Sequence, residues 1–477
     1  MAETKQDFET TLGHRDHHRM NIATARNLHE TSRCVSDFVR SLFRLLEVSD
    51  VRYCVLHTWE LLPESLISDL DLAIHPEDEV KLLTVFEGLR DRGYEPFQRL
   101  NYAKHGSLFG FYWFTGTTLN TAAVDIVSEH RRGGQILATG EEMVNGRLRH
   151  GEFWIPSPRV QFGYLLAKKV CKSSAPSAQA LRLKQLVENI GRPQAQEIAG
   201  GFLARKWNEV AVEACVSGSI EKSLPNGKAK LWQASWTRHP LRFVRFLAEE
   251  FRRCVRRWFE PAGVIVAILG PDGAGKSTVV RGLVETFDHS LKVGFWGRKR
   301  LFHWRPQVFA LAKTAGPVTN PHGKSPRGSV FSMAFLSIAF LDHWIGYILV
   351  TRPLVAKAHL VIFDRYFHDV LVDPRRYRYG GPTWFAALLS RMAPEPDLVI
   401  LLDAPEELIL ARKAELPPVE IQRQRRAYQG VHFKSAQKAV VRTDAGAGPT
   451  LCASLEIITD FMSQRFSERI KYWEMVT

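Results

Sequence analysis

The residues with the clearest chemistry form a glycine-rich segment between an apolar run and a helix-like stretch. Its sequence from position 270 to 277, G-P-D-G-A-G-K-S, matches the phosphate-binding pattern G-x-x-x-x-G-K-[ST]. Glycines let the backbone turn so that successive N–H groups face phosphate oxygens, and the positive end of the next helix adds to this attraction. We expect Lys276 to contact the terminal phosphates and Ser277 to bind Mg²⁺. The expected nucleotide-binding residues are Gly270, Asp272, Gly273, Ala274, Gly275, Lys276, Ser277 and Thr278.

A second group of charged residues lies further along the chain. Asp364 and Arg365 directly follow the apolar run 360–363, where an acid can position Mg²⁺ and an arginine can bind phosphate oxygens. The arginine-rich segment 412–428 is a candidate lid whose guanidinium groups would stabilise the phosphoryl group in transfer. The alternative for this segment is a solvated basic helix. The side chains expected to act in catalysis are Lys276, Asp364, Arg365, Arg412, Arg423 and Arg426.

Three aspartates in the first third of the chain form a separate candidate site. Asp69 and Asp71 alternate with apolar residues, so a strand here places both carboxylates on one face. Asp125 lies in another apolar run, and three carboxylates from neighbouring strands can bind metal ions that activate a hydroxyl and neutralise a leaving pyrophosphate. The alternative is that Asp69 and Asp71 are solvated residues at a sheet edge. The predicted metal ligands are Ser277, Asp364, Asp69, Asp71 and Asp125.

The elements that must position these residues follow from periodicity. Helical spacing of apolar residues predicts a helix over 35–46 and helices within 151–235, with a linker at 217–227. Residues 241–259 form a basic amphipathic helix, which we expect to cover the C-terminal domain. In the C-terminal half, strands alternate with helices, the order typical of a mostly parallel sheet. The predicted strands lie at 52–56, 68–74, 122–127, 264–269, 360–363, 398–403 and 439–444.

A chain of 477 residues is expected to form two or three domains of mixed α/β class. The final part is predicted to be a parallel sheet flanked by helices, and the first domain to be α+β. The predicted divisions are a polar lead (1–34), the α+β domain (35–150), a helical connector with the basic amphipathic helix (151–261) and the α/β domain (262–477).

Composition indicates a soluble globular protein with a basic surface, since 45% of residues are hydrophobic, 24% are charged and the formal net charge is +14. Nucleotide phosphates, an anionic polymer or an anionic membrane face would each attract this charge, and a solvated surface is the simplest alternative. Six scattered cysteines without a C-x-x-C pair indicate a reducing, cytoplasmic compartment. The apolar stretch 330–351 contains Asp342 and His343, which favours a buried core helix over a membrane span. The basic helix 241–259 leaves peripheral contact with the inner membrane face open.

The region from about 262 to 477 resembles the thymidylate kinase family of P-loop kinases. The resemblance rests on the loop 270–278, the Asp364-Arg365-Tyr366 step, the strand from Pro396-Asp397 to Asp403 and the arginines from Arg412 onward. It implies ATP and Mg²⁺ as cofactors, places Asp272 on the acceptor side and brings Asp364 and Arg365 near the acceptor phosphate and the metal. The sequence between 287 and 360 has no thymidylate-pocket pattern, and the arginine- and tyrosine-rich stretch 368–381 suits an anionic or sugar-bearing acceptor.

Residues 37–150 resemble the minimal nucleotidyltransferase domain of the DNA polymerase beta superfamily. The D-x-D strand at 69–71 and the later strand residue Asp125 carry this resemblance. The Gly-Ser or Gly-Gly step that grips the triphosphate in that superfamily is replaced here by L-H-T-W at 56–59.

The leading expectation is an ATP- and Mg²⁺-dependent kinase acting on a nucleoside monophosphate or a related phosphorylated or sugar acceptor. One alternative is a nucleotidyltransferase that uses Asp69, Asp71 and Asp125, with the kinase half supplying or sensing nucleotide. Another is a nucleotide-gated scaffold in surface-polysaccharide assembly. The expected partners are ATP and the small acceptor, and no specific nucleic acid is expected.

Overall fold

The computed structural model describes residues 34–474, apart from 67, 133, 174–176, 288–292, 297–321, 324 and 414–415. Residues 1–33 of the predicted polar lead therefore lie outside the described residues.

The first part of the described chain forms a five-stranded mixed sheet. Its elements are α1 (Val35–Val48), β1 (Tyr53–Val55), β2 (Leu70–Ile74), α2 (Leu82–Asp91), β3 (Glu95–Ala103), β4 (Gly106–Thr115) and β5 (Thr118–Val127), with a 3-10 helix at Pro76–Lys81. The strand order is β1-β2-β5-β4-β3, in which only the β2–β5 pair is parallel. The apolar face of α1 packs on the sheet, where Phe38 stacks on Trp113 at a centroid distance of 5.4 Å. The helix predicted over 35–46 and the three strands predicted here are confirmed.

A helical region follows two short hairpins. Its elements are β6 (Glu129–Arg132), β7 (Gln135–Thr139), α3 (Gly140–Val144), β8 (Leu148–His150), β9 (Phe153–Ile155), α4 (Pro158–Lys172), α5 (Ser177–Ile190), α6 (Arg192–Phe202), α7 (Asn208–Ser217), α8 (Ile220–Ser223), α9 (Gly227–Arg238) and α10 (Pro240–Phe259), with a 3-10 helix at Arg205–Trp207. The linker prediction for 217–227 is wrong, because α8 lies in this segment and Ile220 and Leu224 are buried in the helical core.

The last part of the chain forms a second sheet of five parallel strands, which confirms the predicted parallel sheet. Its elements are β10 (Val264–Leu269), α11 (Lys276–Phe287), β11 (Val293–Trp296), α12 (Ser329–Gly346), a π-helical turn (Tyr347–Thr351), α13 (Arg352–Ala356), β12 (Leu360–Asp364), α14 (Asp369–Val372), α15 (Thr383–Met392), β13 (Leu398–Asp403), α16 (Glu406–Arg412), α17 (Pro418–Gly430), β14 (Gln437–Arg442) and α18 (Ala447–Glu474). The strand order is β11-β12-β10-β13-β14. Alternate β10 residues face α11 and α18 on one side and α12, α15 and α17 on the other, so both faces of the sheet are covered.

The C-terminal helix α18 joins the two sheets. Phe466 is buried in the core of the first sheet, 6.5 Å from the Phe109 ring centroid. Residues of the first sheet also bond to the C-terminal half. The Tyr112 hydroxyl donates to the Asp460 carboxylate at 2.9 Å, and Gln98 Nε2 donates to the Ala358 carbonyl at 3.0 Å. The two halves of the chain therefore share packed and hydrogen-bonded surfaces across the predicted division at 262.

Two helices present large exposed apolar side chains. In α10 only Phe243 is buried, whereas Leu241, Phe251 and Phe259 are 85%, 72% and 72% exposed. The apolar stripe of α10 is therefore exposed and does not cover the C-terminal domain, contrary to the prediction from its sequence. The stretch Ser329–Ala356 is, within the described residues, the one helix long and apolar enough to cross a bilayer by length and composition, and 28% of its most apolar window is buried. The prediction of a buried core helix thus holds for one face only.

Candidate functional site

The glycine-rich segment 270–277, the candidate phosphate-binding loop and called the phosphate loop below, connects the end of β10 to the start of α11, as its sequence context predicts. Gly270, Gly273 and Gly275 all have positive φ values, of 142°, 88° and 87°. At Gly270 a Cβ atom would lie 2.4 Å from the Leu402 carbonyl oxygen of β13. Only glycine combines that backbone conformation with that close approach, so the loop is fixed against the sheet.

Lys276 is buried within the loop and bonded to it. Its Nζ donates to the carbonyl oxygens of Gly270 and Pro271, both at 2.7 Å, and lies 3.6 Å from an Asp272 carboxylate oxygen. Burial lowers the pKa of Lys276 to about 8, and the neighbouring positive charge of Arg365 contributes to the same shift. An anionic phosphate would favour the charged ammonium, because it would replace carbonyl partners with full negative charge.

Asp272 lies at the centre of a cationic cluster. It accepts hydrogen bonds from Arg365 and Arg376. Burial alone would raise the pKa of Asp272, but Lys276, Arg365 and Arg376 hold it well below its usual range. The carboxylate is therefore ionised at neutral pH and fixes both guanidinium groups beside the loop.

Arg365 connects the ends of two parallel strands. It follows β12, and its backbone N–H donates to the Ile268 carbonyl oxygen of β10 at 3.0 Å. Its φ of 78° lies in the left-handed region, a conformation that costs a non-glycine residue about 1–3 kcal/mol. The side chain donates to Asp369 at 2.8 Å and to the Tyr428 hydroxyl at 3.3 Å.

Asp364 and Ser277 are the residues that would hold Mg²⁺ here. Asp364 ends β12 opposite Ile268 of β10, and its Oδ1 is buried with no hydrogen-bond partner among the described residues. A buried carboxylate oxygen requires a compensating partner, and a hard oxygen ligand suits Mg²⁺. Ser277 lies in the first turn of α11, directly after the loop. Their positions fit the predicted metal site.

The predicted lid arginines are engaged in contacts with other parts of the chain. Arg412 donates to the Thr443 hydroxyl at 3.0 Å and to its carbonyl oxygen at 2.7 Å, and Arg423 donates to Glu420 and to the Val372 carbonyl oxygen, both at 2.7 Å. Arg426 is exposed on α17. The structure therefore brings Lys276, Asp272, Asp364 and Arg365 together without bringing Arg412 and Arg423 into the same hydrogen-bonded cluster.

Three members of the cluster were not selected as site residues from the sequence. Arg376 lies in the arginine- and tyrosine-rich stretch, whose composition was the available signal. Asp369 begins α14 four residues after Arg365, which lies outside that helix, so helical spacing gave no signal for the pair. Tyr428, in the arginine-rich segment, carried no signal that distinguished it from an ordinary core residue.

The three aspartates of the first sheet also come together. Asp71 of β2 is directly opposite Asp125 of β5 in the parallel register. One carboxylate oxygen from each of Asp69, Asp71 and Asp125 lies within 4.8 Å of the others. Three carboxylate ligands in this arrangement fit a divalent cation such as Mg²⁺.

The surroundings of these aspartates differ from one residue to the next. Burial, together with the charges of Asp71 and Asp69, raises the pKa of Asp125 to about 7, although a 2.6 Å hydrogen bond from the Tyr102 hydroxyl opposes this shift. For Asp71, burial is more than offset by His57 Nε2 at 2.7 Å and Lys168 Nζ at 3.6 Å, so its pKa is lowered. His57 belongs to the L-H-T-W segment that replaces the expected glycine step, and it lies directly against the carboxylate cluster.

Comparison with known proteins finds thymidylate kinases among the relatives of this chain. No family model matches the chain. A thymidylate kinase of Xanthomonas euvesicatoria is 30% identical over 156 residues, which are 32% of this chain and 62% of that protein. A thymidylate kinase of Xanthomonas oryzae is 27% identical over 217 residues, which are 44% of this chain and 88% of that protein. Among solved structures, thymidylate kinase from Candida albicans aligns at 16% identity and a TM-score of 0.32, covering 43% of this chain and 93% of that one.

These alignments cover a minority of the chain, and several of the relatives are spanned over only 61% to 62% of their own length. The relatives described here by sequence are thymidylate kinases. The chain therefore carries thymidylate kinase homology over 32% to 44% of its length, which relates it to the nucleotide kinases.

Proposed function

We propose that the chain is an ATP- and Mg²⁺-dependent phosphotransferase that acts on a nucleoside monophosphate or a related phosphorylated or sugar acceptor. The observation that carries this proposal is the cluster of Lys276, Asp272, Arg365 and Arg376 around the glycine loop. The cluster lies at the C-terminal ends of two parallel strands, where ligands bind in open α/β sheets. Thymidylate kinase homology supports a nucleotide kinase.

On this proposal the donor nucleotide binds at the loop. Lys276 leaves its two carbonyl partners and donates to phosphate oxygens instead, beside the N-terminal amides of α11. Bound Mg²⁺, held by Ser277 and Asp364, would neutralise charge on the phosphates. Phosphoryl transfer demands little covalent chemistry of the protein, so positioning by these side chains supplies most of the rate enhancement.

The acceptor binds on the side of Arg365 and Arg376. Both guanidinium groups offer paired donors that match phosphate oxygens, and Asp272 keeps them in place. An ionised carboxylate at this position also accepts a hydrogen bond from a sugar hydroxyl. Phosphorylated and sugar-bearing acceptors are therefore the classes to test.

The test is ADP release with ATP and Mg²⁺ against a panel of nucleoside monophosphates and phosphorylated sugars. For Lys276→Ala we expect kcat to fall about 100- to 1,000-fold, the cost of removing one fixed donor to a transferring group. The control is Lys222→Ala, which removes an exposed lysine of α8 and should leave the rate unchanged. Full activity in Lys276→Ala would refute the assignment.

A second candidate activity is nucleotidyl transfer at the first sheet. The clustering of Asp69, Asp71 and Asp125 within 4.8 Å favours it, whereas the ion pairs of Asp71 with His57 and Lys168 compete for the same carboxylate. We expect any Mg²⁺-dependent pyrophosphate release to be lost in Asp69→Asn and retained in Asp91→Asn, an exposed aspartate of α2. Release that persists in Asp69→Asn excludes this site. ATP binding without turnover on any acceptor would instead favour a nucleotide-gated scaffold.

We further propose a cytoplasmic protein whose helix α10 rests on an anionic membrane face. The exposed apolar stripe that includes Leu241, Phe251 and Phe259 is bordered by arginines, the pattern of helices that lie in the lipid interface. The protein should float with vesicles containing anionic lipid and not with neutral vesicles. Phe251→Glu should abolish flotation, and no flotation of the wild type rules the contact out.

A further inference from the structure

A cavity of about 760 Å³ lies between the two sheets, apart from the phosphate loop and the carboxylate cluster. It is bounded by β3 of the first sheet, by the face of α10 opposite its exposed apolar stripe, and by the last turns of α18. This volume is within the range of about 300–1,000 Å³ that small-molecule sites occupy. Residues on the cavity wall include ten lysines and arginines but only four glutamates. Its charge is therefore strongly positive.

Arg253 pairs with Glu250 and Arg465 lies 3.5 Å from Asp397, but these two arginines and Arg469 have further donors that no carboxylate in the described part of the chain accepts. Arg465 and Arg469 both donate to the Pro261 carbonyl oxygen, at 2.6 and 2.8 Å. The Nε of Arg253 is buried and has no hydrogen-bond partner among the described residues. A buried donor without a partner costs stability unless a ligand or water satisfies it.

The electrostatic environment of the wall arginines agrees with this geometry. Burial lowers the pKa of Arg469 to about 10, and the neighbouring charge of Arg465 adds to the shift. Burial likewise lowers the pKa of Arg99 to about 10, with Arg256 contributing. An anion inside the cavity would relieve both the desolvation and the mutual repulsion of these cations.

We propose that this cavity binds a small anion carrying at least two phosphate groups, such as a nucleoside diphosphate or inorganic pyrophosphate. The guanidinium groups of the arginines in α10 and α18 supply paired donors for phosphate oxygens. Tyr102, Trp232 and Phe246 line the same cavity and provide ring surfaces for a base. The proposal does not depend on the kinase assignment, because none of its residues belongs to the phosphate-loop cluster.

The experiment measures how many equivalents of ADP, and separately of pyrophosphate, the full chain binds by isothermal titration without Mg²⁺. The variant Arg253→Gln/Arg469→Gln should bind one equivalent fewer than the wild type. Arg242→Gln removes an exposed arginine of α10 that does not line the cavity, and it should bind the same number as the wild type. The comparison holds whether or not the phosphate loop binds the probe, so its outcome is separate from that of the kinase assay.

A second variant protects the test against misfolding. Lys104→Gln/Arg256→Gln removes two cations at the cavity rim whose side chains are 44% and 62% exposed. We expect this variant to keep the wild-type melting temperature and to bind about 10- to 100-fold more weakly, as for lost charged hydrogen bonds. If ADP binds more tightly than pyrophosphate, the aromatic rings contact the base. If the two bind with equal affinity, the cavity recognises the diphosphate group alone. Unchanged stoichiometry in the first variant and unchanged affinity in the second would overturn the proposal.

Discussion

Replacing Asp272 by asparagine keeps the shape of the side chain but removes the negative charge that three cations share. Arg365 and Arg376 would keep amide contacts without an ion pair, and Lys276 would lose its nearest carboxylate. Removing one partner of a buried ion pair costs about 3–5 kcal/mol, because the remaining charge stays desolvated. The side chains of Asp272 and Arg365 are only 12% exposed, so solvent screens this cost little.

The expected consequence is a large drop in thermal stability. Each kcal/mol corresponds to about 2–4 °C in a domain of 150–250 residues, so Asp272→Asn should lower the melting temperature of the ligand-free chain by about 6–20 °C. Millimolar pyrophosphate should raise the melting temperature of Asp272→Asn more than that of the wild type, since an anion at the loop supplies the missing charge, whereas binding in the cavity would raise both equally. A ligand at 100 times its Kd adds about 2.7 kcal/mol. Differential scanning calorimetry with and without pyrophosphate measures both effects.

The difference in stability between the wild type and Asp272→Asn changes with pH in a direction that the pKa of Asp272 determines. The pKa of Asp272 is lower in the folded chain than its ordinary value of 3.8, so its stabilising contribution is present above that value and is lost as pH falls toward the folded pKa. The gap between wild type and Asp272→Asn should be constant from about pH 5 to 7 and shrink below about pH 4. The control is Asp444→Asn, whose partner Arg442 is 71% exposed, so solvent screens this ion pair and the melting temperature should stay close to that of the wild type. A melting temperature for Asp272→Asn equal to that of Asp444→Asn would refute the reasoning.

Two further changes test the scaffold. Phe466→Ala should lower the free energy of unfolding by about 3–5 kcal/mol in urea titration, because the ring is buried in the core of the first sheet, whereas Phe251→Ala on exposed α10 should change it by less than about 0.5 kcal/mol. Gly270→Ala should weaken nucleotide binding and destabilise the chain, since its Cβ would meet the Leu402 carbonyl oxygen, while Gly448→Ala in α18, where a Cβ meets nothing within 4 Å, should stabilise it by about 0.5–1 kcal/mol. Equal effects within either pair contradict the packing on which they depend.

Local pattern was sufficient to predict which strand ends and strand faces carry the two candidate sites. The apolar run before Gly270 and the alternation around Asp69 and Asp71 each specify a strand and its face, so the side chains that follow are oriented by period alone. The register that places Asp71 opposite Asp125 did not follow from this alternation, because all five residues of β2 are buried and both of its faces are covered. The position of a reactive side chain can therefore be predicted from the sequence when it depends on one strand end or one strand face.

Contacts between distant segments could not be predicted in the same way. The pairing of Asp272 with Arg376 depends on how the chain returns after β12, and no spacing rule selects Arg376 among the arginines of its stretch. The amphipathic pattern of α10 identified two faces but not which face would be covered. The structure leaves the apolar stripe outward and turns the opposite face toward the cavity, because β3 and α18 supply the surroundings of that face.

The cavity between the sheets has unequal connections to the two candidate sites. Tyr102 lines the cavity, and its hydroxyl donates directly to Asp125 at 2.6 Å. On the other side, Arg465 lies 3.5 Å from Asp397, which accepts from the Ile265 backbone N–H near the start of β10, whereas the phosphate loop follows the end of that strand. β10 is buried on both faces and paired on both edges, so it resists small displacements. The hydrogen bond from Tyr102 to Asp125 changes as soon as the Tyr102 side chain moves. We therefore expect an anion bound in the cavity to alter the carboxylate site more than the phosphate loop.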